Sequence, residues 1–337
     1  MRAVVLVGGF GTRLRPLTLS APKQMLPVAG RPMIEWVLAH LAAHGVDDVV
    51  LSLGYKPDAF TDAYPDDRCA GVHLTYAVDP EPLDTAGAVG FAARSAGIDE
   101  RFLVVNGDVM TDLDLTALIA FHDEHGAEGT IALTKVEDPS HFGVVPTDDD
   151  GRVLAFVEKP PRDEAPTDLI NAGFYVLEPS VLDRIPEGRR VNIERETFPA
   201  MVRDATLYAR ADDAYWIDVG TPERYLQASL DMLDGLRAEP LDAALLLPED
   251  LLIDPSATVE RSVLGRGCRI LEGARVVDSV LHGGVTVGAG ASVRRSIAGP
   301  AAVIGDGATL DELTVLGDGV HVDAGSSLTG ALIPAPE

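Results

Sequence analysis

The sequence predicts a mostly parallel, three-layer α/β domain followed by a parallel β-helix. Three observations carry this. An apolar run, Ala3 to Val7, reads as a buried strand and passes directly into Gly8, Gly9 and Gly11. Further strand-like runs then alternate with helical stripes. From Leu264 onward, aliphatic residues recur every six positions.

The elements follow in order. Pro32 to His44 carries apolar residues at 33, 34, 37, 38, 41 and 42, a helical stripe with Gly45 as its stop. Val49–Leu53, Val72–Val78, Phe102–Val105 and Thr130–Val136 read as strands, and Leu113–His125 as a helix closed by Gly126. Strand alternating with helix at this spacing specifies a mostly parallel sheet. Ligands of such sheets sit beyond the carboxyl ends of strands. The glycine loop and Asp108, in Asn106-Gly107-Asp108, both fall at such ends. After Asp138 the pattern is less regular, with apolar runs at Phe142–Val145, Val153–Val157 and Phe174–Leu177. Thr221 and Pro222 then open a helix expected to reach about Leu233, threonine as cap and proline in the first turn.

The tail has its own rhythm. Leu264, Ile270 and Val276 are six apart, as are Leu281, Val287 and Val293, and then Ala298, Ile304, Leu310, Leu316, Val322 and Leu328. Ser262, Ser279, Ser296 and Thr314 mark a longer repeat at spacings of 17, 17 and 18. A six-residue period with three sides per coil is a β-helix, each coil burying its aliphatic stack on the next. About four coils are expected. The expected boundaries are a catalytic domain at 1–235, a linker at 236–250 containing Pro240 and Pro248, and the β-helix at 251–332. His282 and His321 fall in coil turns, where a histidine is ordinarily solvated.

Composition narrows the function. A chain of 337 residues suggests two domains, and 46% hydrophobic residues allow a full core. A net charge of -26 argues against a nucleic-acid groove or an anionic membrane surface. It makes the basic cluster Arg13, Arg15 and Lys23 stand out. Cys69 and Cys268 lie far apart and suggest neither disulfide nor zinc site, which suits a reducing cytoplasm. The apolar run after Met1-Arg2 ends at Gly8, too short for a signal peptide, and no run is long enough to span a bilayer.

Bare glycine amides let an anion approach, and arginines add donors that match phosphate oxygens. The first 23 residues therefore look built to hold a polyphosphate. No G-x-x-x-x-G-K-[ST] is present, and the third glycine of a dinucleotide loop is replaced by Leu14. Asp108 and Asp218 sit at strand ends, and two such carboxylates beside a phosphate loop suggest a Mg²⁺ site completed by water and phosphate.

Val7-Gly-Gly-Phe-Gly-Thr-Arg-Leu-Arg-Pro-Leu-Thr18, followed by Pro22-Lys23, resembles the signature of sugar-1-phosphate nucleotidylyltransferases. The resemblance implies a Rossmann-like nucleotidyltransferase domain with a left-handed hexapeptide-repeat β-helix. It also implies Mg²⁺-assisted attack of a sugar 1-phosphate on the α-phosphorus of an NTP. On this reading Arg13, Lys23, Asp108 and Asp218 are catalytic, and the two aspartates hold the metal. Leu6, Gly8, Gly9, Gly11, Thr12 and Arg13 bind the nucleotide, with Asp79, Glu81, Thr85 and Gly87 near the base. Asn106, Gly143, Glu158, Lys159, Asn171 and Trp216 hold the sugar phosphate, Glu158-Lys159-Pro160 matching the E-K-P motif.

Glu81-Pro-Leu-Asp-Thr-Ala-Gly87 is similar to the E-P-L-G-T-A-G segment of mannose-1-phosphate guanylyltransferases, with Asp84 in place of glycine. A carboxylate acceptor suits the adjacent N–H donors of guanine, so GTP and mannose 1-phosphate are the favoured substrates. Lys23-Gln-Met-Leu-Pro27 is closer to glucose-1-phosphate thymidylyltransferases, which with uridylyltransferases form the alternative. A non-catalytic, sugar-nucleotide-binding regulatory relative is the other alternative. A β-helix acyltransferase is a further one. The β-helix is expected to contribute to a homo-oligomer.

Overall fold

The computed structural model describes residues 1–238, 248 and 250–335. The expected linker, 236–250, lies for the most part outside the described residues. The chain forms two compact units. One comprises Met1–Gly8 and Glu35–Trp216, the other Gly9–Ile34 and Ile217–Glu337.

The first unit is built on one sheet, with ten strands among the described residues. They are β1 (Arg2–Leu6), β2 (Asp48–Leu53), β3 (Arg68–Cys69), β4 (Val72–Val78), β5 (Phe102–Asn106), β6 (Gly129–Lys135), β7 (Gly143–Val144), β8 (Val157–Glu158), β9 (Leu169–Leu177) and β10 (Leu207–Ala211). The main path runs β8-β7-β9-β5-β1-β2-β4-β3, and β6 joins β9 to β10. Strands β5, β1, β2 and β4 are parallel, as expected. Strand β9 is antiparallel to β5, β6 and β7, so the sheet is mixed on that side. Ala3, Val4 and Val5 in β1 are fully buried, which is why the strand is apolar on both faces.

Helix α1 (Met33–Ala43) is the predicted stripe, and Gly45 after it takes φ +80°. Helix α2 (Asp84–Ser95) was not read from the sequence. Its Ala86, Val89, Ala92 and Ala93 join Val4, Val50 and Val104 in the core. Gly87 and Gly90, poor helix formers, hid it. A Cβ on Gly87 would lie 2.7 Å from the Arg189 carbonyl oxygen, and one on Gly90 2.9 Å from Ile185 Cγ2. Close packing requires both. Helix α3 (Leu115–His125) begins at Asp114, whose carboxylate accepts from Ala117 N, and stops at Gly126.

The second unit contains the signature loop, helix α4 (Pro222–Leu233) and the β-helix. The Thr221 hydroxyl caps α4 by accepting from Arg224 N at 3.3 Å. The β-helix consists of three parallel sheets of five strands each. Five rungs exceed the expected four because Leu252–Ile253 and Thr258–Glu260 pair with the next rung and supply one more. The inward residues from Leu264 to Val322 are at most 4% exposed, and Leu328 is partly buried. The serines form a ladder: Ser279 Oγ donates to Val277 O and accepts from Ser296 N at 3.2 Å. The single 18-residue step arises at a corner where two residues, Glu312 and Leu313, have positive φ. The equivalent corners carry one such residue each: Arg261, Asp278 and Arg295.

His321 is exposed, as a coil-turn histidine should be. His282 departs from that expectation. It is 3% exposed and its Nε2 lies 2.8 Å from the hydroxyl of Tyr225 on α4. Burial of this polar ring is affordable only because it finds that partner. Among the described residues no helix is long and apolar enough to cross a membrane.

Candidate active site

In the first unit, the carboxyl ends of four adjacent parallel strands bring their following residues into a row. Leu6 pairs in register with Asn106 and with Ser52, and Leu53 with Val78. Gly107 N donates to Leu6 O at 3.0 Å, Val7 N to Ser52 O at 3.0 Å, and Asp79 N to Leu53 O at 2.8 Å. Asp108, Gly8, Gly54 and Asp79 thus leave the same sheet edge side by side. Glycine is needed in that row. A Cβ on Gly54 would lie 3.1 Å from Gly8 O, and one on Gly107 2.9 Å from Leu6 O.

Asp79 carries an unusual carboxylate. Its Oδ1 is buried and has no hydrogen-bond partner. Burial pushes its pKa up to about 6. Glu81 is exposed in the turn beyond it.

Thr85 and Gly87 are engaged otherwise. The Thr85 hydroxyl accepts from Ile193 N at 2.9 Å, and the amides of Ala86 and Gly87 donate to Val191 O. These two residues shape the first turn of α2. Asp84 keeps the glycine-like backbone at φ +61°. Its Oδ1 accepts from Thr85 N at 2.8 Å and from Asn192 Nδ2 at 3.0 Å.

A second group lies around β7, β8 and β9. Glu158 pairs with Gly143 across the strands. Lys159 takes φ +49°, and its Nζ lies 3.2 Å from Glu158 Oε1. The space a Gly143 side chain would fill holds the Phe156 ring, 2.5 Å from the Cβ position. Asn171 Nδ2 donates to the buried Tyr175 hydroxyl at 2.8 Å, and its Oδ1 accepts from Gly173 N at 2.9 Å. A bulge between Asn171 and Tyr175 sets this turn. Trp216 Nε1 donates to Ala172 O at 2.9 Å, and its ring stands edge-on to Phe142. Asn106 packs under Gly173.

Glu194 was not foreseen. Its pKa is raised to about 7 by burial first, then by the charges of Glu158 and Asp84. The nearby Asn192 Oδ1 accepts from Glu194 N and Arg195 N, while Glu196 takes Asn192 N. This reciprocal cap is a pattern that asparagine followed by glutamates could have signalled.

The signature loop belongs to the second unit. Gly11 takes φ +62°, and its carbonyl accepts from the Thr18 hydroxyl at 2.8 Å. The Lys23 side chain crosses Gly9, with Nζ 3.9 Å from the Cβ position there. Gly220 is bare because Arg13 needs the room: Nη2 of Arg13 and Oδ1 of Asp218 lie 2.7 and 3.1 Å from its Cβ position. Arg13 and Asp218, far apart in sequence, are therefore neighbours. Thr12 and Arg13 are exposed. Among the described residues no three His, Cys, Asp or Glu side chains gather as a metal cluster. A cation on Asp108 or Asp218 would complete its shell with water and phosphate oxygens, the habit of Mg²⁺.

A parallel sheet edge lined with glycines and single carboxylates in one unit, and a glycine loop bearing Arg13 and Lys23 in the other, are the residue types of a nucleotide-handling transferase class. The comparisons specify it further. The family described as Nucleotidyl transferase matches residues 2–235, and the GMPPB C-terminal domain matches residues 243–337. The chain belongs to the nucleotidyl transferase family. It is 43% identical over 290 residues to a mannose-1-phosphate guanylyltransferase of Mycobacterium tuberculosis, covering 84% of this chain and 80% of that one. It is 38% identical to mannose-1-phosphate guanylyltransferase 1 of Arabidopsis thaliana, covering 100% of this chain and 97% of that one. Among solved structures, HddC from Yersinia pseudotuberculosis complexed with GMP-PN matches with a TM-score of 0.58 at 29% identity, covering 68% of this chain and 97% of HddC.

Proposed function

We propose that this chain transfers GMP from GTP to mannose 1-phosphate, giving GDP-mannose and pyrophosphate. The observation that carries the base assignment is the unpartnered, buried Asp79 oxygen at the end of β4. An ionised carboxylate accepts from two adjacent donors, which guanine offers and uracil or thymine does not. The names of the relatives point to the same substrates.

A phosphate oxygen of mannose 1-phosphate attacks the α-phosphorus in line. The new O–P bond forms as the bond to the β-phosphate oxygen breaks. The nucleophile is already an anion, so no strong base is needed. The obstacles are anion repulsion and charge on the leaving group, which fixed cations offset. Arg13 takes the pyrophosphate, with Gly8, Gly9, Gly11 and Thr12 lining its path. Lys23 serves the α-phosphate. Glu158 and Asn171 accept or donate at sugar hydroxyls, and Lys159 pairs with the sugar phosphate. Asp108 and Asp218 would hold Mg²⁺, which when bound supplies positive charge to the phosphates. We assign catalysis to residues 1–235 and subunit contact to the β-helix at 251–332. The reduced cysteines suit a cytoplasmic enzyme.

Pyrophosphate release measured for every NTP paired with every common sugar 1-phosphate tests this. GTP with mannose 1-phosphate should turn over fastest. Preference for dTTP or UTP overturns the base assignment. Binding without turnover favours a regulatory relative, and release with no pair ends the proposal.

A further inference from the structure

Lys23–Met25 form one 3-10 turn, and Leu26 N donates to Lys23 O at 3.1 Å. Leu26 O accepts from Met33 N at 3.0 Å, and Pro27 pairs with Pro32 in a hairpin. Lys23 and Pro27 are therefore carried on one short, internally bonded piece of chain. The Pro27 carbonyl accepts from the hydroxyl of Tyr225. The same hydroxyl meets His282 Nε2 at 2.8 Å. A hydroxyl has one proton and a carbonyl only accepts. The Tyr225 proton thus goes to Pro27, and His282 Nε2–H must donate to the Tyr225 oxygen. Burial keeps His282 neutral by pushing its pKa down to about 4, and the Tyr225–Pro27 bond then selects the tautomer with the proton on Nε2.

Packing on this side is open. A partly open pocket of about 220 Å³ is bordered by Pro27, Gly30, Val263, Gly265, His282 and Gly283. Buried Leu26, Val28 and Ala29 anchor the hairpin, and the directional bond from Tyr225 fixes the Pro27 carbonyl within it.

We propose that His282 and Tyr225 are positioning residues: through the Pro27 carbonyl they fix the turn that bears Lys23, so a rung of the β-helix sets the place of a catalytic cation. This rests on the role proposed above for Lys23. It gives the β-helix a part in turnover that is separate from subunit contact.

Tyr225→Phe removes both bonds with the loss of one oxygen atom. Turnover of GTP and mannose 1-phosphate should fall about tenfold in kcat, as expected for a sub-ångström displacement of a phosphate-binding group. Oligomeric state should not change. His282→Leu, which keeps the Tyr225–Pro27 bond, should lower kcat by less than Tyr225→Phe, and His282→Gln, whose amide can still donate, should recover most of that loss. Val287→Ala, a fully buried β-helix substitution outside the relay, should lower stability and leave kcat unchanged. Tyr225→Phe combined with Lys23→Ala should be no slower than Lys23→Ala alone, because the relay acts through that lysine. Wild-type kcat in Tyr225→Phe, or additive losses in the double variant, overturns the proposal. Full activity in Lys23→Ala removes the role of Lys23 and the relay's function with it, whereas a silent Tyr225→Phe beside a crippled Lys23→Ala sinks the relay alone.

Discussion

Gly107→Ala is the sharpest perturbation of the sheet edge. The added Cβ would lie 2.7 Å from Val7 Cγ1, 2.9 Å from Leu6 O and 3.1 Å from Val5 Cγ1. Carbon atoms pack at about 3.5 Å or more, so the first contact is short by roughly 0.8 Å. Val7 could turn its side chain, but Leu6 O cannot retreat. It belongs to β1, which is bonded on both sides to β2 and β5. The turn carrying Gly107 must move instead, and Asp108 moves with it. Overpacking of this kind costs about 1–3 kcal/mol. A displacement approaching 1 Å at a catalytic group costs about 100-fold in rate. Urea unfolding followed by Trp fluorescence measures the first, since Trp216 belongs to this unit. Pyrophosphate release at saturating substrate measures the second. Normal stability would refute the close approach. Lowered stability with wild-type kcat would refute the role of Asp108.

Other outcomes follow from the same geometry. The folded pKa of Asp79 lies above its ordinary 3.8, at about 6, so its contribution to stability is greatest at low pH and is lost as pH rises through about 6. Asp79→Asn should therefore raise the melting temperature of the nucleotide-free protein at pH 8. It should also abolish the rise in KM for GTP expected as the wild-type carboxylate is protonated at lower pH. At Asp84, alanine should be less stable than glycine by about 1 kcal/mol in chemical denaturation, because both lose the bonds to Thr85 and Asn192 but only alanine keeps the strained φ. Ile304→Ala, fully buried in the β-helix, should cost about 2–5 kcal/mol by the same measurement. Deletion of residues 251–337 should change both sedimentation and kcat; if it alters neither, the assembly role and the relay are both wrong. Chelation should abolish turnover, and added Mg²⁺ should restore it.

Much of the molecule was legible from local rules. The six-residue period names the large aliphatic stack of the β-helix because a coil repeats its own backbone geometry, and each rung meets only its neighbours; the smaller core residues, such as Cys268, Ala274 and Ala302, fall outside it. The Thr221 cap and the glycine stops at Gly45 and Gly126 likewise depend on a few adjacent residues. Helix α2 escaped because Gly87 and Gly90 answer to Arg189 and Ile185, about a hundred positions away. His282 escaped for a similar reason: its partner Tyr225 comes from a helix, outside the six-residue repeat.

The residue types proposed to handle phosphate, base and sugar were thus written in short motifs, since glycine, arginine and carboxylate chemistry is intrinsic to each side chain. Folding alone decided which of them became neighbours. Arg13 stands beside Asp218 and Gly220, and Gly9–Ile34 is grouped with the chain from Ile217 onward. No local window encodes such contacts, because they depend on the whole path of the intervening two hundred residues.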